Sequence, residues 1–296
     1  MSKLMRFLIK VVITFVIFSA AMMTLVILIY NTNFGIRFEA YRTITEHEAE
    51  ISHFYSGQNR LTGYMFGTEN DLGLIVISHG LGGGAASYLE EINFFVANGW
   101  RVFAFDKTGS HNSEGRGTRG LPQSALDLNA SLDYITSLEL GLPIVLYGHS
   151  WGGFAVTAIL NFDHNIKAVV SLAGFAEPMS MLHESARAML GALGDIAYPF
   201  IWIYQQILFG EYANLSAIDG INNGNVPVKI IHGNTDDVIS YDGTGIIAYQ
   251  NEITNPNATF ILKYHPNFSG HNNLTHDPSL LAEINEFFLY NLLLNR

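Results

Sequence analysis

Four short segments carry side chains whose types and order could perform nucleophilic chemistry. Gly148-His149-Ser150-Trp151-Gly152 follows the strand-like run PIVLY and precedes the helix-like run FAVTAILNF, so strand, sharp turn and helix occur in sequence. A bare G-x-S-x-G is permissive, and its placement is what carries the signal. Such a turn holds the serine in a strained backbone conformation and exposes its hydroxyl above the sheet. The helix starting at Trp151 also aims its free N-terminal amides and positive dipole end at the same spot, as an oxyanion requires.

A serine hydroxyl is protonated at neutral pH, so it needs a base, and the base needs an acid to fix its tautomer. After the strand-like PVKII come His232-Gly233-Asn234-Thr235-Asp236-Asp237-Val238; after TFILKY come Ser269-Gly270-His271-Asn272-Asn273. The chain order Ser, Asp, His is that of sheet-based hydrolases. Ser150 is therefore the expected nucleophile, His271 the base and Asp236 the acid, with Asp237 as the fallback. Among 11 histidines, His271 is preferred for its Gly-preceded loop after the last strand. His265 abuts that strand, His276 precedes the final helix, and His149 is expected to point away across the turn. No H-E-x-x-H or comparable spacing suggests a metal, and none is expected.

The cluster His79-Gly80-Leu81-Gly82-Gly83-Gly84-Ala85 follows the strand-like LGLIVIS and has two readings. As an oxyanion loop, it lends the amide of Leu81 to that of Trp151, each donor being worth about 3–4 kcal/mol in hydrolases. As G-x-G-x-x-A, with Asp106 closing the next strand, it would bind a dinucleotide in an oxidoreductase. The second reading leaves Ser150 unexplained and ignores the hairpin that precedes the unit. The first is preferred, and no cofactor is expected.

Positioning these loops calls for a sheet. Alternating stretches at 51–57 and 61–67, joined by a Gly-Gln-Asn-Arg turn, suggest an opening hairpin. Short apolar runs at 74–78, 102–105, 144–147, 168–171, 228–231 and 259–264 then alternate with helical-period segments. The expected class is α/β, a mainly parallel eight-stranded sheet covered by helices. Residues 177–221 hold no strand candidate but are rich in Met, Leu and aromatics. They read as a helical cap, with Trp202 and Phe209 as possible pocket residues.

Residues 11–30, VVITFVIFSAAMMTLVILIY, carry no charge, and as a helix would span roughly 30 Å of hydrocarbon. They are expected to anchor the chain in a lipid bilayer rather than to be cleaved as a signal, because the apolar run continues past the small residues at 19–21. Lys3, Arg6 and Lys10 in the basic segment 1–10 favour a cytoplasmic N-terminus, with the catalytic domain on the extracytoplasmic side. Residues 31–50 read as a linker and 51–296 as the catalytic domain.

The 296 residues are 49% hydrophobic and 14% charged, which excludes intrinsic disorder. With 15 basic and 26 acidic residues the net charge is −11, so nucleic acid is not an expected partner. There is no cysteine, hence no disulfide scaffold and no thiolate nucleophile. Five N-x-[ST] sequons occur, at Asn129, Asn214, Asn257, Asn267 and Asn273; the last is two residues from the proposed base and most read as accidents of an Asn-rich chain. No oligomeric state is assigned by the sequence.

Taken in order, HGLGGG, FAFDKTGSHNSEG, GHSWGG, HGNTDDV and SGHNN resemble the α/β-hydrolase superfamily over roughly residues 50–296. The HG-x-G loop, the stretch from Asp106 to Ser113 and the small cap are similar to the serine aminopeptidase and monoacylglycerol-lipase-like branch, which includes many carboxylesterases. The resemblance implies Ser150, His271 and Asp236 as the triad and the amides of Leu81 and Trp151 as the oxyanion hole. Where the branch has a second glycine, this chain has Ser110-His111 after Gly109, which makes His111 a further possible pocket residue. The expectation is a membrane-anchored serine hydrolase acting on a small-molecule carboxylic ester with an apolar part. An amidase or aminopeptidase would use the same triad, and a catalytically silent binding domain is a further alternative.

Overall fold

The computed structural model describes residues 1–294. In chain order the elements are α1 (Lys3–Phe34), β1 (Glu50–Ser56), β2 (Asn59–Phe66), β3 (Leu74–Ser78), α2 (Leu89–Ala97), β4 (Arg101–Asp106), α3 (Gln123–Ser137), β5 (Ile144–His149) and α4 (Trp151–Ala158). They continue with β6 (Ile166–Leu172), α5 (Pro178–Leu190), α6 (Leu193–Phe209), α7 (Ala217–Asn222), β7 (Val228–Gly233), β8 (Ala258–Lys263) and α8 (Leu280–Leu294).

One eight-stranded sheet runs in the order β1-β2-β4-β3-β5-β6-β7-β8. The β1/β2 and β2/β4 pairings are antiparallel and the rest parallel. The opening hairpin turns more tightly than its sequence suggests. Asn59 and Arg60 already pair with Ser56 and Tyr55, leaving Gly57-Gln58 as a two-residue turn, with Gly57 at φ +58°. That conformation is open to glycine without steric cost.

The parallel strands are apolar on both faces because helices cover both. Leu128 and Leu132 of α3, Phe154 of α4 and Ile221 of α7 pack on one face. Ile92 and Phe95 of α2 and Ile284 and Phe288 of α8 pack on the other. Helix α7 thus belongs to the covering layer, and the cap proper is the α5–α6 pair. It begins at Pro178, a residue suited to the first helical turn.

Helix α1 is longer than its uncharged run and is, among the described residues, the one helix long and apolar enough to cross a membrane. Most of it is exposed; Val26, Tyr30 and Phe34 are buried. The edge of the Tyr30 ring meets Tyr204 of α6 at 5.1 Å, and Phe18 meets Phe200 at 6.4 Å. The segment after it is no free linker. The Phe38 amide donates to Gly109 O at 3.0 Å, and the His111 amide donates to Phe38 O at 2.7 Å. Arg37 donates to Ser113 O at 2.6 Å and to His111 O. The Phe38 backbone and the Arg37 side chain fill hydrogen-bonding capacity on the 109–115 loop, which pins the strap to the domain.

Candidate active site

Ser150 lies between β5 and α4 at φ +57° and ψ −118°, a conformation costing a non-glycine residue about 1–3 kcal/mol. The surroundings enforce it. Its amide donates to Leu172 O on β6 at 2.8 Å, and its carbonyl accepts from Phe154 N at 3.1 Å. Both flanking glycines are required by close approach. A Cβ on Gly152 would collide with the Ser78 carbonyl, and one on Gly148 with the Gly152 carbonyl.

The loops after β7 and β8 bring their side chains to the same point. His271 Nε2 is 2.8 Å from Ser150 Oγ, and His271 Nδ1 is 2.8 Å from Asp236 Oδ2. The two loops are tied together by the Thr235 amide, which donates to Ser269 O at 3.0 Å, and by the paired hydroxyls of Thr235 and Ser269 at 2.9 Å. Asp236 Oδ1 accepts the amides of Val238 at 2.9 Å and Ile239 at 2.8 Å. Burial would raise this carboxyl, but hydrogen bonds from His232, His271 and the Ile239 amide outweigh it and hold Asp236 well below the usual carboxylate range.

Three contributors were not legible in the sequence. The first is His232, whose Nε2 lies 3.1 Å from Asp236 Oδ2 and 3.0 Å from Ile239 O. The carbonyl can only accept, so Nε2 carries a proton shared with the carboxylate. The only sequence signal was the spacing of four residues before Asp236. The others are His149 and Tyr88. His149 does not point away across the turn; its ring lies against that of His271, centroids 5.1 Å apart. Its Nε2 donates to His271 O at 2.9 Å, and its Nδ1 meets Tyr88 Oη at 3.0 Å. Tyr88 Oη in turn accepts the Gly80 amide at 3.0 Å. Burial, with His271 adjoining, lowers His149 to about 4.

The glycine-rich loop stands against Ser150. A Cβ on Gly80 would sit 3.4 Å from Ser150 Cβ, and Leu81 lines the cleft over Ser150. Trp151 is the first residue of α4, so its amide has no intrahelical acceptor. Asp106 braces this loop, accepting the Ala85 amide at 2.8 Å, the Asn112 amide at 3.1 Å and Tyr64 Oη at 3.0 Å. That buried carboxylate has no face left for a ribose, which removes the support for a dinucleotide reading.

The cleft has a volume of about 510 Å³, with Leu81, Leu121, Trp151, Phe175, Met181 and Ile239 as its apolar wall. Three sequence-derived pocket candidates lie elsewhere. Trp202 is 45% exposed on α6. Phe209 is buried beneath the Arg119 guanidinium, 5.5 Å from its ring. His111 is buried beside Asp106 and Gly84 in the loop that receives Arg37. Asp237 is exposed. His265 packs its ring tilted against that of Phe268, and His276 is 65% exposed beside Glu90.

Comparison with known proteins agrees with this architecture. Residues 69–209 match the family model of the serine aminopeptidase, S33, a stretch containing Ser150 and the cap helices. The chain is 31% identical over 159 residues to the quorum-quenching protein AidA of Acinetobacter baumannii, covering 48% of this chain and 51% of that one. It thus spans about half the length of that curated relative. Among solved structures, it is similar to the esterase Pf2001 of Pyrococcus furiosus, with a TM-score of 0.67 and 17% identity over 86% of this chain and 97% of that one. It is also similar to Est1E of Butyrivibrio proteoclasticus with ferulic acid bound, with a TM-score of 0.62 and 18% identity over 81% and 99% of the two chains. The chain has the α/β-hydrolase fold, and over residues 69–209 it resembles the serine aminopeptidase family.

Proposed function

We propose that this protein is a membrane-anchored serine hydrolase that cleaves carboxylic esters through an acyl-enzyme. The observation carrying the proposal is the continuous contact from Asp236 through His271 to Ser150, 2.8 Å at each step. Ser150 Oγ attacks the ester carbonyl carbon while His271 Nε2 takes its proton. Asp236 stabilises the resulting imidazolium and holds the tautomer that leaves Nε2 free to accept. The carbonyl oxygen, now an oxyanion, faces the amides of Leu81 and Trp151. On collapse, His271 returns the proton to the departing alkoxide. Water, deprotonated by His271, then releases the acid and restores Ser150.

An apolar wall beside a short polar floor suits an ester with an aliphatic or aromatic part. The names of two structural neighbours, an esterase and an enzyme with ferulic acid bound, support the ester over the amide. Anchoring rests on the apolar length of α1 and on the burial of Val26, Tyr30 and Phe34 against the folded domain, contacts that a cleaved leader would forfeit. The basic residues before the run favour an extracytoplasmic catalytic domain.

The test is hydrolysis of p-nitrophenyl esters against the matching p-nitroanilides. The proposal expects ester turnover that falls at least ~10³-fold in Ser150→Ala. Preferred turnover of anilides would redirect it to an amidase. A folded chain turning over neither would overturn it.

A further inference from the structure

A second cavity, of about 260 Å³, lies between α1 and the cap. Leu25, Val26 and Ile29 of α1 form one wall, and Leu182, Met189 and Ile201 of α5 and α6 form the other. Asn33, Tyr30 and Ser185 supply the only polar side chains of its lining among the described residues. It adjoins the cleft: Leu81, Leu121 and Met181 line both spaces. The two spaces therefore lie in succession from the proposed oxyanion loop along the helix that carries the apolar run.

The cap beside it presents exposed apolar side chains. The cap residues next to it, Met189, Leu193 and Ile196, are 59%, 58% and 45% exposed. Trp202 lies on the same cap at 45% exposure, and tryptophan concentrates at membrane–water interfaces. Because Phe200 packs against Phe18, the cap is held beside the apolar run itself. In water such a surface would be costly; in a bilayer interface it is solvated.

We infer that the α1–cap groove takes the aliphatic chain of an amphiphilic ester resident in the bilayer, threading it so that the ester carbonyl reaches Ser150. The inference rests on the serine-esterase reading and adds to it the substrate class and a role for α1 as a wall of the binding site. Referred to the ester free in water, each methylene held in the groove should raise kcat/KM about fourfold until the groove is filled.

The full chain in phosphatidylcholine nanodiscs would be assayed with p-nitrophenyl esters of four to twelve acyl carbons, beside Ser185→Trp, which places an indole in the groove from an exposed position of α5. The expected result is a steep rise of kcat/KM with chain length in the wild type, flattened at least tenfold at the long end in the variant. A flat wild-type series, or a variant whose slope is unchanged, overturns the inference. An independent measurement uses an alkyl fluorophosphonate carrying a diazirine at its chain end. After capture, photolysis is expected to crosslink peptides within 25–34 or 181–201. Capture at Ser150 with crosslinks elsewhere overturns the groove while leaving the hydrolase intact. Failure of capture by folded protein overturns both.

Discussion

The carbonyl oxygen of His271 accepts the Nε2 proton of His149 at 2.9 Å, so the residue preceding the proposed nucleophile holds the backbone of the proposed base. Since Nε2 is the donor, Nδ1 of the neutral ring must accept, and it does so from Tyr88, whose oxygen accepts the Gly80 amide. One chain of hydrogen bonds thus links the glycine-rich loop to the base loop. His149→Phe leaves the His271 carbonyl unpaired, at a cost of about 1–3 kcal/mol, and should lower kcat more than it raises KM. Ester kinetics together with thermal unfolding check this. The pH dependence has a defined sign. With the folded value about 4, below the ordinary 6.5, the native state binds fewer protons than the unfolded chain between those values. Stability contributed by His149 is therefore complete above pH 6.5 and lost as pH falls through 4.

The two carboxylates of the β7 loop separate cleanly. Asp236 receives two amides and two imidazoles, whereas Asp237 is exposed. Asp236→Asn should lower kcat by about 10⁴-fold, because the amide favours the wrong tautomer of His271. Asp237→Asn should stay within about twofold, as surface changes usually do. Parallel kcat measurements on the two variants decide it, and an equal loss in both would contradict the assignment.

Glu91 of α2 lines the cleft, and burial, reinforced by Glu90, raises its carboxyl from 4.5 to about 7. The folded protein thus holds this proton more tightly than the unfolded chain, and stability declines as pH rises from about 4.5 to 7. Glu91→Gln removes the ionised form, so its gain in Tm over wild type should be larger at pH 8 than at pH 5. The gain at pH 8 is on the order of 3 kcal/mol, at about 1.4 kcal/mol per pKa unit. Scanning calorimetry at the two pH values measures it; a gain independent of pH would contradict the burial argument.

Gly152 gives a test of the turn itself. Glycine within a helix is ordinarily improved by alanine by about 0.5–1 kcal/mol. Here the added methyl would meet the Ser78 carbonyl, so Gly152→Ala should destabilise by about 1–3 kcal/mol instead. Denaturant unfolding reads the sign directly.

What was legible beforehand follows from the range of the interactions. The strand β3 could be bounded at 74–78 because a wholly apolar run ends at a glycine cluster, a local signal. The hairpin turn was drawn too wide because cross-strand pairing, not composition, extends β2 back to Asn59. Trp202 and Phe209 lie outside the cleft lining for a tertiary reason. Composition says that α6 is apolar, but not that its inner residues Ala197 and Ile201 pack with Val26 of α1, while the cleft is reached by Met181 of α5. His232 and Tyr88 escaped notice because their partners are set by how loops meet in space, across 61 residues in the case of Tyr88 and His149. The docking of 35–38 on the 109–115 loop likewise has no local signature.

The central claim, that Ser150 is the nucleophile of an acyl-enzyme, is tested most directly by intact-mass analysis after treatment with a fluorophosphonate. One covalent adduct per chain is expected, mapped by peptide fragmentation to Ser150, absent from Ser150→Ala and slowed in Asp236→Asn. A folded wild-type chain that acquires no adduct, or an adduct that persists in Ser150→Ala, would contradict it.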